Sequence, residues 1–61
     1  MKFTMVIADD EPVVLKSEEL FIKKEFPDIE IVGMAENGIE LKQMLEQRKP
    51  DMAMVDIHMP G

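Results

Sequence analysis

The chain has 61 residues, so its fold can bury only a small hydrophobic core. It has no cysteine, so disulfides cannot stabilise that fold. Seven basic and 13 acidic residues give a formal net charge of −6, which argues against direct nucleic-acid binding by this segment, because such binding needs a basic surface. No apolar run approaches the roughly 20 residues that span a bilayer, and no signal-peptide pattern opens the chain, so we expect a cytoplasmic protein that does not bind membranes.

Apolar runs of strand length alternate with segments of helical spacing, a pattern typical of βαβ units and an α/β fold with a parallel sheet. A nearly continuous apolar run predicts the first strand over residues 3–8, covered on both faces. The spacing predicts a first helix over residues 12–26, capped by Asp10 or Glu11 and ended by Pro27.

The first helix carries two apolar stripes instead of the single stripe of an ordinary surface helix. One stripe contains Val13, Val14, Leu20 and Phe21, with Ser17 between them. The other, on nearly the opposite side, contains Leu15, Ile22 and Phe26. Two stripes predict a second neighbour for this helix besides the sheet.

The second half of the chain repeats the strand–helix–strand pattern. We predict a strand over residues 29–34, a capping box formed by Asn37 and Glu40, and a helix that ends near Arg48. This helix is expected to bury Leu41, Met44 and Leu45. A third strand over residues 52–55 then places Asp56 at its carboxyl end, and residues 57–61 form a loop.

Right-handed crossovers allow the three strands to lie in the order 1-2-3 or 2-1-3. In the second order Asp9, Asp10 and Asp56 converge at a topological switch point, where open α/β sheets bind ligands. Such carboxylates repel one another by about 4 kcal/mol per pair at roughly 4 Å and an effective dielectric of about 20, unless their pKa values rise or a cation such as Mg2+ binds. The alternative is that Asp9 and Asp10 only cap a helix and Asp56 is an ordinary loop acid.

Four segments, in order and at the expected spacings, resemble the receiver domain of two-component response regulators. They are VIADDEP at 6–12, FPDIEIVG at 26–33, AENG at 35–38 and PDMAMVDIHMPG at 50–61. The resemblance implies a flavodoxin-like parallel sheet of order 2-1-3, truncated to β-α-β-α-β. It also implies that residues 1–61 are the N-terminal half of a receiver domain.

The same resemblance implies roles for individual residues. Asp56 matches the aspartate that accepts a phosphoryl group from a histidine kinase, and it also faces the metal. Asp9 and Asp10 match the acidic pair that holds Mg2+, Asp10 directly and Asp9 largely through water. The backbone carbonyl of His58 matches the third protein ligand, whereas its imidazole is incidental. The implied protein is a phosphoacceptor, not a self-contained enzyme, and it is expected to regulate a transcriptional output domain outside these residues.

The sequence also departs from the family, since it lacks the fourth-strand Ser/Thr and the fifth-strand Lys of receivers. We therefore expect impaired switching. We also expect self-association through the edge of the third strand and through the stripe of Leu15, Ile22 and Phe26. The alternative function is a half-domain that acts only as an interaction module, by self-association or by kinase binding.

One rival interpretation concerns the last six residues. Asp56, His58 and Gly61 fit the Asp-x-His-x-x-Gly pattern with which cobalamin-binding modules supply a His ligand to cobalt. In those modules the loop follows the first strand, whereas here it follows the third, so the receiver interpretation is favoured.

Overall fold

Five elements alternate along the chain in the order β-α-β-α-β. The computed structural model describes residues 2–56. The elements are β1 (Phe3–Asp9), α1 (Pro12–Glu25), β2 (Ile29–Ala35), α2 (Gly38–Arg48) and β3 (Met52–Asp56). All strands are parallel and lie in the order β2-β1-β3, which confirms the flavodoxin-like arrangement that the resemblance implied.

The central strand β1 is buried on both faces, as its continuous apolar sequence predicted. Val6, Ile7 and Ala8 have almost no exposed surface. Because successive side chains of a strand point to opposite faces, Ile7 faces one helix layer while Val6 faces the other. Helix α1 covers the first face, where the core contains Met5, Ile7, Leu15 and Ile22, flanked by the partly buried Ile29, Ile31, Met52 and Met54.

Helix α2 approaches the opposite face of the sheet closely at Gly33. A Cβ atom at this position would lie 2.8 Å from the sulfur of Met44 and 3.6 Å from a methyl carbon of Val6. The pairing of β1 with β2 shifts register between Met5 and Val6, so that Val6 lies opposite Gly33. The absence of a side chain at Gly33 therefore lets Met44 pack directly on the sheet.

The structure reverses the expected roles of the two stripes on α1. Leu15 and Ile22 are each 5% exposed and pack against the sheet, whereas Leu20 is 57% exposed on the other side of the helix. The prediction that Leu15, Ile22 and Phe26 form an outward-facing stripe is therefore wrong for its two helical members. Phe26 lies just beyond the helix, where its half-exposed ring meets Phe21 edge to face at a centroid distance of 6.1 Å.

The physical reason is the spacing of Leu15 and Ile22. Seven residues are nearly two full turns, so the two side chains lie in line along the helix and together cover Met5 and Ile7 of β1. Val13, Leu20 and Phe21 remain exposed on the outer side. Two apolar stripes are consistent with either rotation of the helix, and packing against the strand selects one.

The start of α2 confirms the predicted cap with one difference. The Asn37 side-chain oxygen accepts a hydrogen bond from the Glu40 N–H at 2.8 Å. The Glu40 carboxylate accepts from the Glu36 N–H at 2.8 Å, one residue before the cap. The first bond satisfies an N–H group that the helix start leaves unpaired, and the second ties the residue before the cap to the first turn.

The predicted burial along α2 is only partly correct. Leu41 and Met44 are half-buried, and Leu45 is exposed. The reason is that α2 covers only β2 and β1, so its outer apolar positions have nothing to pack against among residues 2–56.

Strand β3 is held differently from the other two. It pairs with β1 alone, and within residues 2–56 both helices lie over β1 and β2. Met52 and Met54 pack against the core, whereas Ala53 and Val55 point away from it and are exposed. The outer edge of β3 therefore carries unpaired backbone groups among the described residues. Neither helix of residues 2–56 is long and apolar enough to cross a bilayer.

The two faces of α1 can be distinguished by a matched pair of leucine truncations. We expect Leu15→Ala to lower the free energy of unfolding by about 2–4 kcal/mol, because it leaves a cavity in the core. Leu20→Ala, an identical change in the same helix, is expected to cost less than about 0.5 kcal/mol. Urea unfolding followed by circular dichroism measures both, and equal losses would contradict the observed rotation of α1.

Candidate functional site

Two acidic side chains end the neighbouring strands β1 and β3. The register of the pairing runs from Met5 opposite Met52 to Asp9 opposite Asp56. Both strands are parallel, so these residues lie side by side at the carboxyl edge of the sheet. The strand order reverses between β1 and β3, and the carboxyl edge at this switch point is the usual ligand-binding position of an open α/β sheet.

Asp9 is the buried member of the pair. It is only 3% exposed, and its Oδ1 accepts a hydrogen bond from the Glu11 N–H at 2.9 Å. Glu11 is the N-cap residue of α1 and makes no side-chain capping bond itself. Asp9 thus ties the end of β1 to the start of α1 through the N–H of the N-cap residue, and the predicted side-chain cap by Asp10 or Glu11 is absent. Asp10, the other predicted cap, is exposed.

Asp56 is the exposed member of the pair. It lies on the last described residue of β3, so its carboxylate is accessible at the sheet edge. The structure therefore gives the two paired acids different surroundings, one enclosed and one accessible to a second molecule.

A third acid, Glu18 of α1, joins this edge and was not identified from the sequence. Burial raises the pKa of its carboxyl, and the nearby carboxylates of Asp9 and Asp56 raise it further. Glu18 lies between Leu15 and Ile22 at helical spacing, so it shares the sheet-facing side of α1. An acid inside an apolar stripe was the available signal, and it was missed because that stripe was assigned to the outer side.

No cation from the described residues neutralises this group of acids by an ion pair. Both ion pairs found within residues 2–56 involve Glu19, which meets Lys16 at 3.2 Å and Lys23 at 3.4 Å on the outer surface of α1. The carboxylates of Asp9, Glu18 and Asp56 therefore have no ion-pair partner among residues 2–56.

The donor chemistry of this edge fits a hard divalent cation. Mg2+ binds through one or two carboxylates and keeps several of its waters, so Asp9 and Asp56 supply suitable protein oxygens. Within residues 2–56, no three Asp, Glu, His or Cys side chains converge tightly enough to hold an ion by themselves. The predicted carbonyl ligand of His58 lies outside the described residues, as does the His58 imidazole of the cobalamin pattern.

Curated proteins resemble this chain along nearly all of its length. It is 41% identical over 58 residues to an uncharacterized response regulatory protein of Vibrio cholerae. It is 43% identical over 56 residues to the uncharacterized transcriptional regulatory protein YhcZ of Bacillus subtilis, and 34% identical over 58 residues to the nitrate/nitrite response regulator protein NarL of Escherichia coli. The chain is a homologue of response regulators. The similarity falls in their receiver region.

The similarity covers most of this chain but a small part of each relative. The three alignments cover 95%, 92% and 95% of the chain, and 22%, 26% and 26% of the respective relatives. The chain thus spans about a quarter of the length of the response regulators that it matches. No protein-family model and no solved structure matches it.

The raised pKa of Glu18 predicts a dependence of stability on pH. The folded chain holds the proton on Glu18 more tightly than the unfolded chain does. The contribution of protonated Glu18 to the free energy of unfolding is therefore fully present below the ordinary pKa of 4.5, and it is lost as the pH rises through the raised pKa. We expect Glu18→Gln to stabilise the metal-free chain at pH 7, with the advantage vanishing below pH 4.5.

Chemical denaturation of the wild type and of Glu18→Gln across this pH range measures the effect. Glu25→Gln, at an exposed position of the same helix, is the control and is expected to change stability by a few tenths of a kcal/mol at most. A Glu18→Gln chain that is less stable than the wild type at pH 7 would contradict the electrostatic interpretation.

Proposed function

We propose that this chain is a phosphoacceptor receiver module, in which Asp56 accepts a phosphoryl group from a histidine kinase at the carboxyl edge of the sheet. The observation that carries the proposal is the register that sets Asp56 directly beside Asp9. The homology to response regulators supports the same role.

The different exposures of the two aspartates support Asp56 as the nucleophile. A phosphorylated histidine is bulky, and its phosphorus must come within reach of a carboxylate oxygen. Asp56 is exposed, whereas Asp9 is almost fully enclosed. In the proposed step an Asp56 oxygen attacks the phosphorus, a P–O bond forms, and the P–N bond to the imidazole breaks. The electron pair of that bond returns to the ring nitrogen, and the product is an acyl phosphate.

We propose that Asp9, Asp10, Asp56 and the backbone carbonyl of His58 hold Mg2+ at this edge. When bound, the ion neutralises the charge that develops on the phosphoryl oxygens during transfer. Asp9 contributes a carboxylate whose orientation is fixed by its bond to the Glu11 N–H. Glu18 adds negative charge close to Asp9 and Asp56, which favours a cation at the same edge.

We further propose that phosphorylation is read by an output domain of a longer protein. One relative is named a transcriptional regulatory protein, which supports a transcriptional output. In this scheme the segment itself contacts a cytoplasmic histidine kinase and not nucleic acid, consistent with its charge of −6. Phosphotransfer to its own Asp56 is the one reaction that we assign to it.

The proposal predicts modification at a single side chain. With Mg2+ and acetyl phosphate, we expect one phosphoryl group on Asp56, detected by intact-mass and peptide mass spectrometry. Asp56→Asn is expected to abolish this product, because the side-chain amide is a much weaker nucleophile than the carboxylate. Asp28→Asn, a matched change at an exposed position remote from the site, is expected to leave it unchanged. Equal labelling of the Asp56→Asn variant would refute the assignment.

The second candidate function is an interaction module, and the free edge of β3 favours it. Among the described residues β3 pairs on one side only, and Val55 beside that edge is 51% exposed. An edge of this kind can pair with a strand of another molecule. We propose that the chain self-associates there, with the outer side of α1 available for further contact.

A charge on the exposed face of β3 tests this second function. We expect Val55→Lys to shift the chain toward the monomer in sedimentation velocity experiments, because a lysine beside the edge disfavours strand pairing. Ile39→Lys places the same charge on an exposed position of α2, outside both proposed contact surfaces, and serves as the control. A wild-type chain that stays monomeric at high concentration would defeat the proposal, while the Asp56 labelling experiment stands independently.

A further inference from the structure

A reciprocal set of hydrogen bonds joins the beginnings of β1 and β3. The Thr4 N–H donates to the Asp51 carboxylate at 2.9 Å, and the Thr4 hydroxyl donates to the same oxygen, Oδ2, at 3.2 Å. The Asp51 N–H donates in return to the Thr4 hydroxyl at 3.0 Å. These three bonds, which we call the Thr4–Asp51 clasp, link residues that are 47 positions apart in the chain.

The clasp lies at the opposite end of β3 from the candidate site. Thr4 precedes the first β1–β3 pair, Met5 with Met52, and the last pair is Asp9 with Asp56. β3 pairs with β1 alone and neither helix lies over it among residues 2–56, so its register depends on that pairing and on the packing of Met52 and Met54. What fixes the register of β3 also fixes where Asp56 lies.

The apolar pattern excludes a slip of one residue but not every slip of two. Moving β3 by one residue would turn Met52 and Met54 out of the core and bring Ala53 and Val55 in. Moving it by two preserves the faces. In one direction this slip would place the Asp56 carboxylate opposite the fully buried Ile7, which burial of a charge opposes.

The slip of two residues in the other direction is the one that the clasp opposes. It would place Met54 opposite Asp9 and carry Asp56 roughly 7 Å beyond its present partner. It would also separate Asp51 from Thr4 and move its carboxylate toward Val6, which has no exposed surface. The three hydrogen bonds of the clasp form only in the observed register.

We propose that Thr4 and Asp51 are positioning residues for the candidate site: their clasp selects the register of β3 that places Asp56 beside Asp9. The effect on phosphoryl acceptance rests on the proposed function. The effect on strand register does not, and the two are measured separately.

The test uses the full chain and two pairs of variants. Thr4→Val removes the hydroxyl and keeps the shape, whereas Thr4→Ser keeps the hydroxyl. Asp51→Ala removes the acceptor, whereas Asp51→Asn keeps one acceptor oxygen. Ser17→Ala, which removes an exposed hydroxyl from α1, is the control. The readouts are the NMR cross-peaks between β1 and β3, amide hydrogen exchange in β3, and uptake of beryllofluoride with Mg2+ at Asp56.

We expect Thr4→Val and Asp51→Ala to accelerate amide exchange in β3 about tenfold relative to the amides that pair β1 with β2. The cross-peaks between the neighbours of Asp9 and Asp56 weaken in the same variants, and beryllofluoride uptake falls with them. Thr4→Ser, Asp51→Asn and Ser17→Ala are expected to stay close to the wild type. Wild-type cross-peaks and exchange in both Thr4→Val and Asp51→Ala would overturn the inference.

Two further outcomes separate this inference from the proposed function. If the wild type takes up no beryllofluoride but the register still shifts in Thr4→Val, the proposed function fails and the register claim stands. If the register shifts and uptake does not change, the positioning role is overturned. Should Thr4→Val and Asp51→Ala loosen the β1–β2 pair as much as the β1–β3 pair, the clasp would stabilise the whole sheet and not the register of β3, and the inference is overturned.

Discussion

The burial of β1 between two strands and two helix layers is the constraint on which this small structure depends. Val6, Ile7 and Ala8 are almost fully enclosed, and every other element packs on or pairs with this strand. A chain of this size buries little surface, so one strand that is covered on all sides contributes a large share of what is available. The same enclosure carries Asp9, the next residue, into a buried position at the sheet edge.

The site follows from this enclosure as a contrast between two neighbouring acids. Asp9 is held rigidly where β1 meets α1, and Asp56 ends a strand that is bound on one side among the described residues. Glu18 lies on the helix that covers this edge, and the negative charges of Asp9 and Asp56 raise the pKa of its carboxyl. A rigid enclosed carboxylate next to an accessible one suits division of labour between holding a cation and reacting with a second molecule.

The sequence was informative where a local rule decides and less so where packing decides. The Asn37–Glu40 cap and the buried run of β1 could be predicted because each depends on neighbouring residues. The strand order 2-1-3 remained open from residue spacing alone and came from the resemblance to receivers. The rotation of α1 was predicted wrongly, since two apolar stripes fit the sheet equally well until Leu15 and Ile22 are seen over Met5 and Ile7. Glu18 was missed for the same reason.

The five-residue length of β3 has a consequence for how this segment can vary. The exposed side chains of Ala53 and Val55 can be exchanged, as long as Met52 and Met54 keep their apolar character and Asp56 is retained. Insertion or deletion of one residue between Asp51 and Asp56 is a different kind of change, because it would turn the carboxylate of Asp56 to the other face of the sheet whatever the new residue was. The number of residues between Asp51 and Asp56 is therefore constrained more strictly than the identity of the exposed residues between them.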